Sequence, residues 1–259
     1  MHIASATFPI IPALGMFVAL LIFLELGRRL GVRRLNVPGA RAGVGVVDGS
    51  VYALVALMIG FTFNGAAARF DSRRELVGAT TNVAGTTWQR IDMLPAELQP
   101  PVRDAMRRYI DALIASYAST SVADAATIRQ PEAVTRAQND LWAKAVEVCS
   151  TPAGDKARML LLPSMNELFG AVEKERLARA IHPPRLIYVL LAIAALIGAV
   201  FVGYAIATAE KRNWLYMVGV AGTIASATYV VAELEYPRMG RVRVDAIDRT
   251  LVDLRESMK

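Results

Sequence analysis

Apolar residues gather into four long blocks along this chain, and between them recur every three or four positions. The blocks are Phe8–Leu24, Gly49–Ala68, Leu186–Thr208 and Trp214–Ala232. A helix needs roughly 20 apolar residues to cross a hydrocarbon core about 30 Å thick, and each block approaches or reaches that length. Gly49–Ala68 carries no charged residue, yet Thr62 and Asn64 lie two-thirds of the way along it. Beyond it the chain meets Arg69, Asp71, Arg73, Arg74 and Glu75 with no proline or glycine after Gly65. The pattern predicts one helix that leaves the bilayer and continues into water.

Residues 69–185 carry helical rather than alternating periodicity. Leu76, Val83, Trp88, Ile91 and Leu94 predict a helix that Pro95 ends. Pro100-Pro101 opens another, with Val102, Met106, Tyr109, Ile110 and Leu113 on one face. Ser119–Gln130 reads as a connection, and Pro131 opens a helix through Val134, Leu141, Ala145 and Val148. Thr151-Pro152 reads as a cap with proline at the first helical position of the next helix. That helix is expected to be interrupted at Pro163 and to end before His182-Pro183-Pro184. No strand pair, repeat or low-complexity tract is evident. The expected fold class is an all-α membrane protein of four transmembrane helices with a helical extramembrane domain between the second and third. The expected divisions are 1–68, the first transmembrane pair with its connecting loop; 69–185, the helical domain; 186–232, the second transmembrane hairpin; and 233–259, a C-terminal amphipathic segment. The apolar stripe of that last segment is Val244, Ile247, Leu251 and Leu254.

Composition agrees with the membrane assignment. Of 259 residues, 54% are hydrophobic, above the roughly 45–50% of ordinary soluble chains. The N-terminal block lacks a preceding Lys or Arg and a following small-residue cleavage site, so it reads as a retained anchor helix. The net charge of +6 lies largely beside the spans, where basic residues reflect topology and contact with membrane lipid. Arginine and aromatic residues are not interleaved as a nucleic-acid platform requires, so no nucleic acid is expected as a partner. Cys149 is the only cysteine, and His2 and His182 are the only histidines. An intramolecular disulfide and cysteine- or histidine-based metal clusters are thereby excluded.

Catalytic constellations are also missing. Glu233 and Glu235 are two apart and would not face one another on a helix. Lys144, Lys156 and Lys174 lack a phosphate-loop motif. Glu25, at the end of an apolar span, is expected to reach interfacial water or pair with Arg28 or Arg29. The expectation is no enzyme and no cofactor. In the third span Ala195, Ala199, Gly203 and Ala207 form a stripe of small residues, echoed in the fourth by Gly222 and Ser226. Such stripes let helices approach closely, and packing within one subunit is the preferred assignment.

The run Gly60-Phe61, Asn64, Ala66, Arg69-Phe70 and Arg73 is similar to the end of the second membrane helix in bestrophins. From Val44 to Val244 the chain resembles the bacterial bestrophin-like family. Near the fourth span Glu235, Pro237 and Gly240 match that family, while Arg238 stands where an aromatic is usual. Thr80-Thr81-Asn82 likewise replaces the usual Glu-Ala-Asn. The resemblance implies a homo-oligomer, a pentamer, that conducts inorganic ions through a neck lined by the second helix of each subunit. Phe61 falls at a neck position by motif, and Leu57 and Ala53 precede it by one and two turns on the same face. Thr62, Asn64, Arg69 and Arg73 would then be the pore-adjacent polar residues. A narrow apolar ring dewets and opposes ion entry.

Lysines and arginines near span ends favour a cytoplasmic helical domain in a bacterial inner membrane, as Arg69, Arg73, Arg74, Arg179 and Arg185 fall on its side. Arg28, Arg29, Arg33, Arg34 and Arg41 argue for the reverse. Two other functions compete with conduction. A non-conducting scaffold would recruit a partner through the charged surface of its helices. A transporter would need an inverted repeat and a broken span, and neither is evident.

Overall fold

The computed structural model describes residues 9–38, 44–118, 130–208, 212–236 and 245–259. Among them every regular element is helical. In chain order these are α1 (Ile10–Arg33), α2 (Val44–Arg90), α3 (Gln99–Ala118), α4 (Glu132–Cys149), α5 (Asp155–Ala180), α6 (Arg185–Ala205), α7 (Trp214–Glu235) and α8 (Asp245–Ser257). Short 3₁₀ turns at Ile91–Met93, Ala96–Leu98 and Ile206–Thr208 supplement them. Among the described residues four stretches are long and apolar enough to cross a membrane. The protein is an all-helical, multi-pass membrane protein. The chain forms two compact units, Met1–Ala68 with His182–Val242, and Arg69–Ile181 with Arg243–Lys259.

In the first unit α1, α6 and α7 pack together and the start of α2 lies beside them. Leu20, Leu24, Val55, Ala195, Ala199, Met217 and Ala221 make its buried centre. Close approach of α1 and α6 is what sets this packing. A Cβ added to Gly203 would lie 2.0 Å from the Leu24 carbonyl oxygen, and one on Gly27 would lie 2.0 Å from that of Val200. Gly31 faces Ala207 in the same way. The small-residue stripe of the third span therefore packs within the subunit, against α1. Its echo in α7 behaves differently: Ala221 and Ala225 are buried, whereas Ser226 is exposed and a Cβ on Gly222 would meet nothing within 4 Å.

Residues 69–90 of α2, together with α3, α4, α5 and α8, form the second unit. Ile91, Met106, Tyr109, Ile110, Leu113, Leu141, Leu161, Met165 and Leu168 are fully enclosed. Each such side chain contributes roughly 1.5–3 kcal/mol through removal from water. Phe169 meets Tyr109 and Trp142 edge-on, with centroids 5.5 and 6.3 Å apart. Leu251 of α8 is buried in this core, and Arg255 grips Asp111 through two bonds of 2.7 and 2.9 Å. Leu254 packs at the edge of the core. Val244 and the Ile247 side chain lie outside the described residues.

Two local expectations give way. α5 begins at Asp155, not at Pro152, because Thr151 closes a turn whose hydroxyl accepts from the Gly154 N–H at 3.1 Å. Pro163 does not interrupt α5, which runs through it. Proline removes one helical hydrogen bond and costs about 3 kcal/mol in a helix interior. The carbonyl it deprives belongs to Met159, a residue 79% exposed, so water can reach that turn. Beside it Thr87 Oγ1 donates to the Ser164 carbonyl at 3.1 Å, and Leu161, Met165 and Leu168 are buried. Packing along this face outweighs the missing bond.

Candidate functional site

α2 is one uninterrupted helix of 47 residues, about 70 Å long at 1.5 Å per residue. Its first turns carry two unlike faces. Val51, Tyr52, Val55 and Ile59 turn toward the rest of the first unit. Ala53, Leu57, Gly60, Phe61 and Asn64, at the spacing of a single helix face, turn away. Leu57 is 53% exposed and Phe61 69%, and a Cβ on Gly60 would meet nothing. The structure thus brings Ala53, Leu57, Phe61 and Asn64 together on one open face of a single chain. Thr62 is half-buried and donates its hydroxyl to the Met58 carbonyl at 2.7 Å.

Further along α2, in the second unit, Arg69 is half-buried. Arg73 is only 5% exposed. Its Nε donates to the Ala178 carbonyl at 3.2 Å and its Nη2 to that of Ile181 at 3.0 Å. These are carbonyls at the end of α5, which a helix leaves without intrahelical donors, so the guanidinium caps that end. Just before it, Glu175 is buried and bonded to Tyr117 Oη at 3.2 Å and Arg179 at 2.9 Å.

A second polar constellation joins residues far apart in the chain. At the end of α7, Glu235 is 1% exposed, and its Oε1 lies 2.9 Å from His182 Nδ1. The His182 ring stacks on Tyr236 with centroids 5.0 Å apart. Glu233, also buried, bonds instead to Tyr229 on its own helix. The two glutamates do not act as a pair, as their spacing predicted. The signal that both are satisfied deep in the protein was their place in the last turn of an apolar span, where ionisable groups seek partners. An apolar cavity of about 270 Å³ borders Glu235, lined also by Pro12, Met16, Ile59, Tyr188 and Val231. Among the described residues no three His, Cys, Asp or Glu side chains are placed to hold a metal.

At the other end of the first unit Glu25 pairs with Arg28 at 2.9 Å and Arg29 at 2.9 Å, as expected, and also with Arg212 at 3.1 Å. In the second unit Cys149 is buried, and burial pushes its thiol pKa up. It has the environment of an inert core thiol.

The profile of the Bestrophin-like domain matches residues 14–247. No curated protein sequence matches the chain. Among solved structures, a bacterial bestrophin homologue from Klebsiella pneumoniae is similar at 16% identity, with a TM-score of 0.66 over 92% of this chain and 98% of that one. A single-substitution variant of the homologue aligns at 18% identity and a TM-score of 0.64, over 94% of this chain and 98% of that one. A second such variant gives 19% identity and 0.63, over 92% and 98%. At these identities the likeness establishes the shared fold.

Proposed function

Because the chain belongs to the bestrophin-like family, we propose that it is an oligomeric ion channel whose hydrophobic neck is lined by α2. Five copies, as the family resemblance implies, surround one axis in a bacterial inner membrane, with the second unit on the cytoplasmic side. The observation that carries this reading is the open face of α2. Leu57 and Phe61 are more than half exposed although the opposite face of the same helix is packed. A ring of Phe61 side chains from several copies would form a narrow apolar collar, with Leu57 and Ala53 above it. Such a collar sheds water and raises the cost of stripping an ion. Asn64, on the same face, would offer hydration just past the collar. Thr62 lies off that face, half-buried with its hydroxyl on the Met58 carbonyl, and would act on the pore only through the packing of α2. Arg69 would set the potential at the mouth, and Arg73 would act there through the α5 end that it caps.

Purified protein of confirmed pentameric mass should pass ions in planar bilayers. Phe61→Ala together with Leu57→Ala should raise the current, by about tenfold for each 1.4 kcal/mol removed from the barrier. Silence from both proteins would reject conduction. A stable stoichiometric partner with no ion flux would instead establish the non-conducting scaffold.

A further inference from the structure

The end of the first unit formed by α1 and the start of α7 carries more positive charge than its own fold uses. Glu25 is the only carboxylate among its described residues that meets the arginines there. Its Oε1 accepts from Arg28 at 3.0 Å, Arg29 at 2.9 Å and Arg212 at 3.1 Å, and its Oε2 from Arg28 Nε at 2.9 Å. One carboxylate therefore gathers three guanidiniums. Arg29 and Arg212 each spend one N–H on it, out of the five that a guanidinium carries. One turn further on, Arg33 and Arg34 are exposed. No side-chain bond from Arg33 or Arg34 to another described residue completes their charge. The C-terminal end of α1 can balance only about half an elementary charge. Even with Asp48, half-buried at the start of α2, counted beside Glu25, five guanidiniums leave a clear excess.

The depth of this cluster is fixed by an independent feature. Asn213 caps α7 by accepting from the Tyr216 N–H at 3.1 Å. Trp214 and Tyr216 are both exposed at the first turn of this apolar span, and Arg212 lies 5.9 Å from the centroid of the Trp214 ring. Exposed Trp and Tyr at a span end mark the headgroup level of a bilayer. The guanidiniums thus stand where lipid phosphates stand, with apolar helix faces beside them for the tails. Guanidinium forks match phosphate oxygens two bonds at a time.

We propose that Arg29 and Arg212, gathered by Glu25 beside Trp214, together with the exposed Arg33 and Arg34 one turn further on at the end of α1, form a binding site for the headgroup of an anionic phospholipid. Glu25 is a positioning residue, holding Arg28, Arg29 and Arg212 against mutual repulsion. The site is independent of whether the protein conducts.

The test uses the full-length protein in an uncharged detergent and native mass spectrometry. Phosphatidylglycerol, phosphatidylcholine with the same tails, and glycerol 1-phosphate without tails are titrated separately. Phosphatidylglycerol should bind at least tenfold tighter than either of the others. Arg33→Gln with Arg34→Gln should weaken it about 30-fold, near fivefold per arginine, without lowering the melting temperature. Lysine at both positions should restore part of the loss. Should that double variant misfold, raising salt on the unmodified protein serves instead and should weaken phosphatidylglycerol alone. Equal binding of the choline lipid, unchanged affinity in the glutamine variant, or insensitivity to salt overturns the proposal. Equally tight glycerol 1-phosphate also overturns it, by revealing a site for soluble anions.

Discussion

The α1–α6 seam and the outer face of α2 are both built from apolar residues of membrane-spanning helices, yet one is sealed and the other open. At the seam Gly27, Gly31 and Gly203 let two backbones come so close that no side chain fits between them. On α2 the residues Leu57 and Phe61 are large and stand clear of their own chain. Lipid tails are as apolar as leucine, so hydrophobicity cannot choose which faces pair inside a bilayer. Close packing can. The glycines of the α1–α6 seam therefore mark where this chain closes on itself, while Leu57 and Phe61 mark a face left for lipid or for another copy.

The largest test of that contrast is Gly203→Ala. Its new Cβ would lie 2.0 Å from the Leu24 carbonyl oxygen, and backbone cannot yield as a flexible side chain would. Stability in detergent should fall by about 3 kcal/mol or more, read from denaturation of the purified protein. Gly60→Ala, on the open face, should change monomer stability by no more than about 0.5 kcal/mol. Equal losses at the two sites would dissolve the distinction between seam and face.

A smaller effect is expected from Arg73→Met, in the second unit. The variant keeps the length of the stem but removes the cap on the Ala178 and Ile181 carbonyls. Charged hydrogen bonds of this kind are worth about 1.5–3 kcal/mol, and hydrogen exchange should quicken at the end of α5 before it does elsewhere. Protection unchanged there would mean that other donors satisfy those carbonyls. The mildest probe leaves the fold intact. Because Cys149 is buried and its thiol pKa is raised, maleimide should label it negligibly at neutral pH and completely in denaturant. Its rate should climb with pH, since only the thiolate reacts. Rapid labelling of the native protein would show that this core opens as freely as the face of α2.

Particular residues show what could be read early and why. The expected spans align with α1, α2, α6 and α7 because a bilayer demands long apolar helices, and the described residues hold four. Glu25 was legible because its arginine partners lie three and four residues away on the same helix. Arg212, which completes the set, was not, being far off in sequence. His182 and Glu235 were hidden for the same reason, as was Arg73, whose acceptors are the carbonyls of Ala178 and Ile181. By local rule Pro163 predicts a break, and the packing of its neighbours overrides that rule. Val244 and Ile247, part of the expected apolar stripe, lie outside what the structure describes.

The helical class, the membrane-crossing segments and the family are all encoded in local composition and spacing, so the order of residues alone carries them. Which small residues close a seam, which acids are buried with partners and which face of α2 stays open emerge only once the helices have packed. Those outcomes depend on contacts between residues far apart in the chain, and no window of neighbouring residues contains both halves of such a contact.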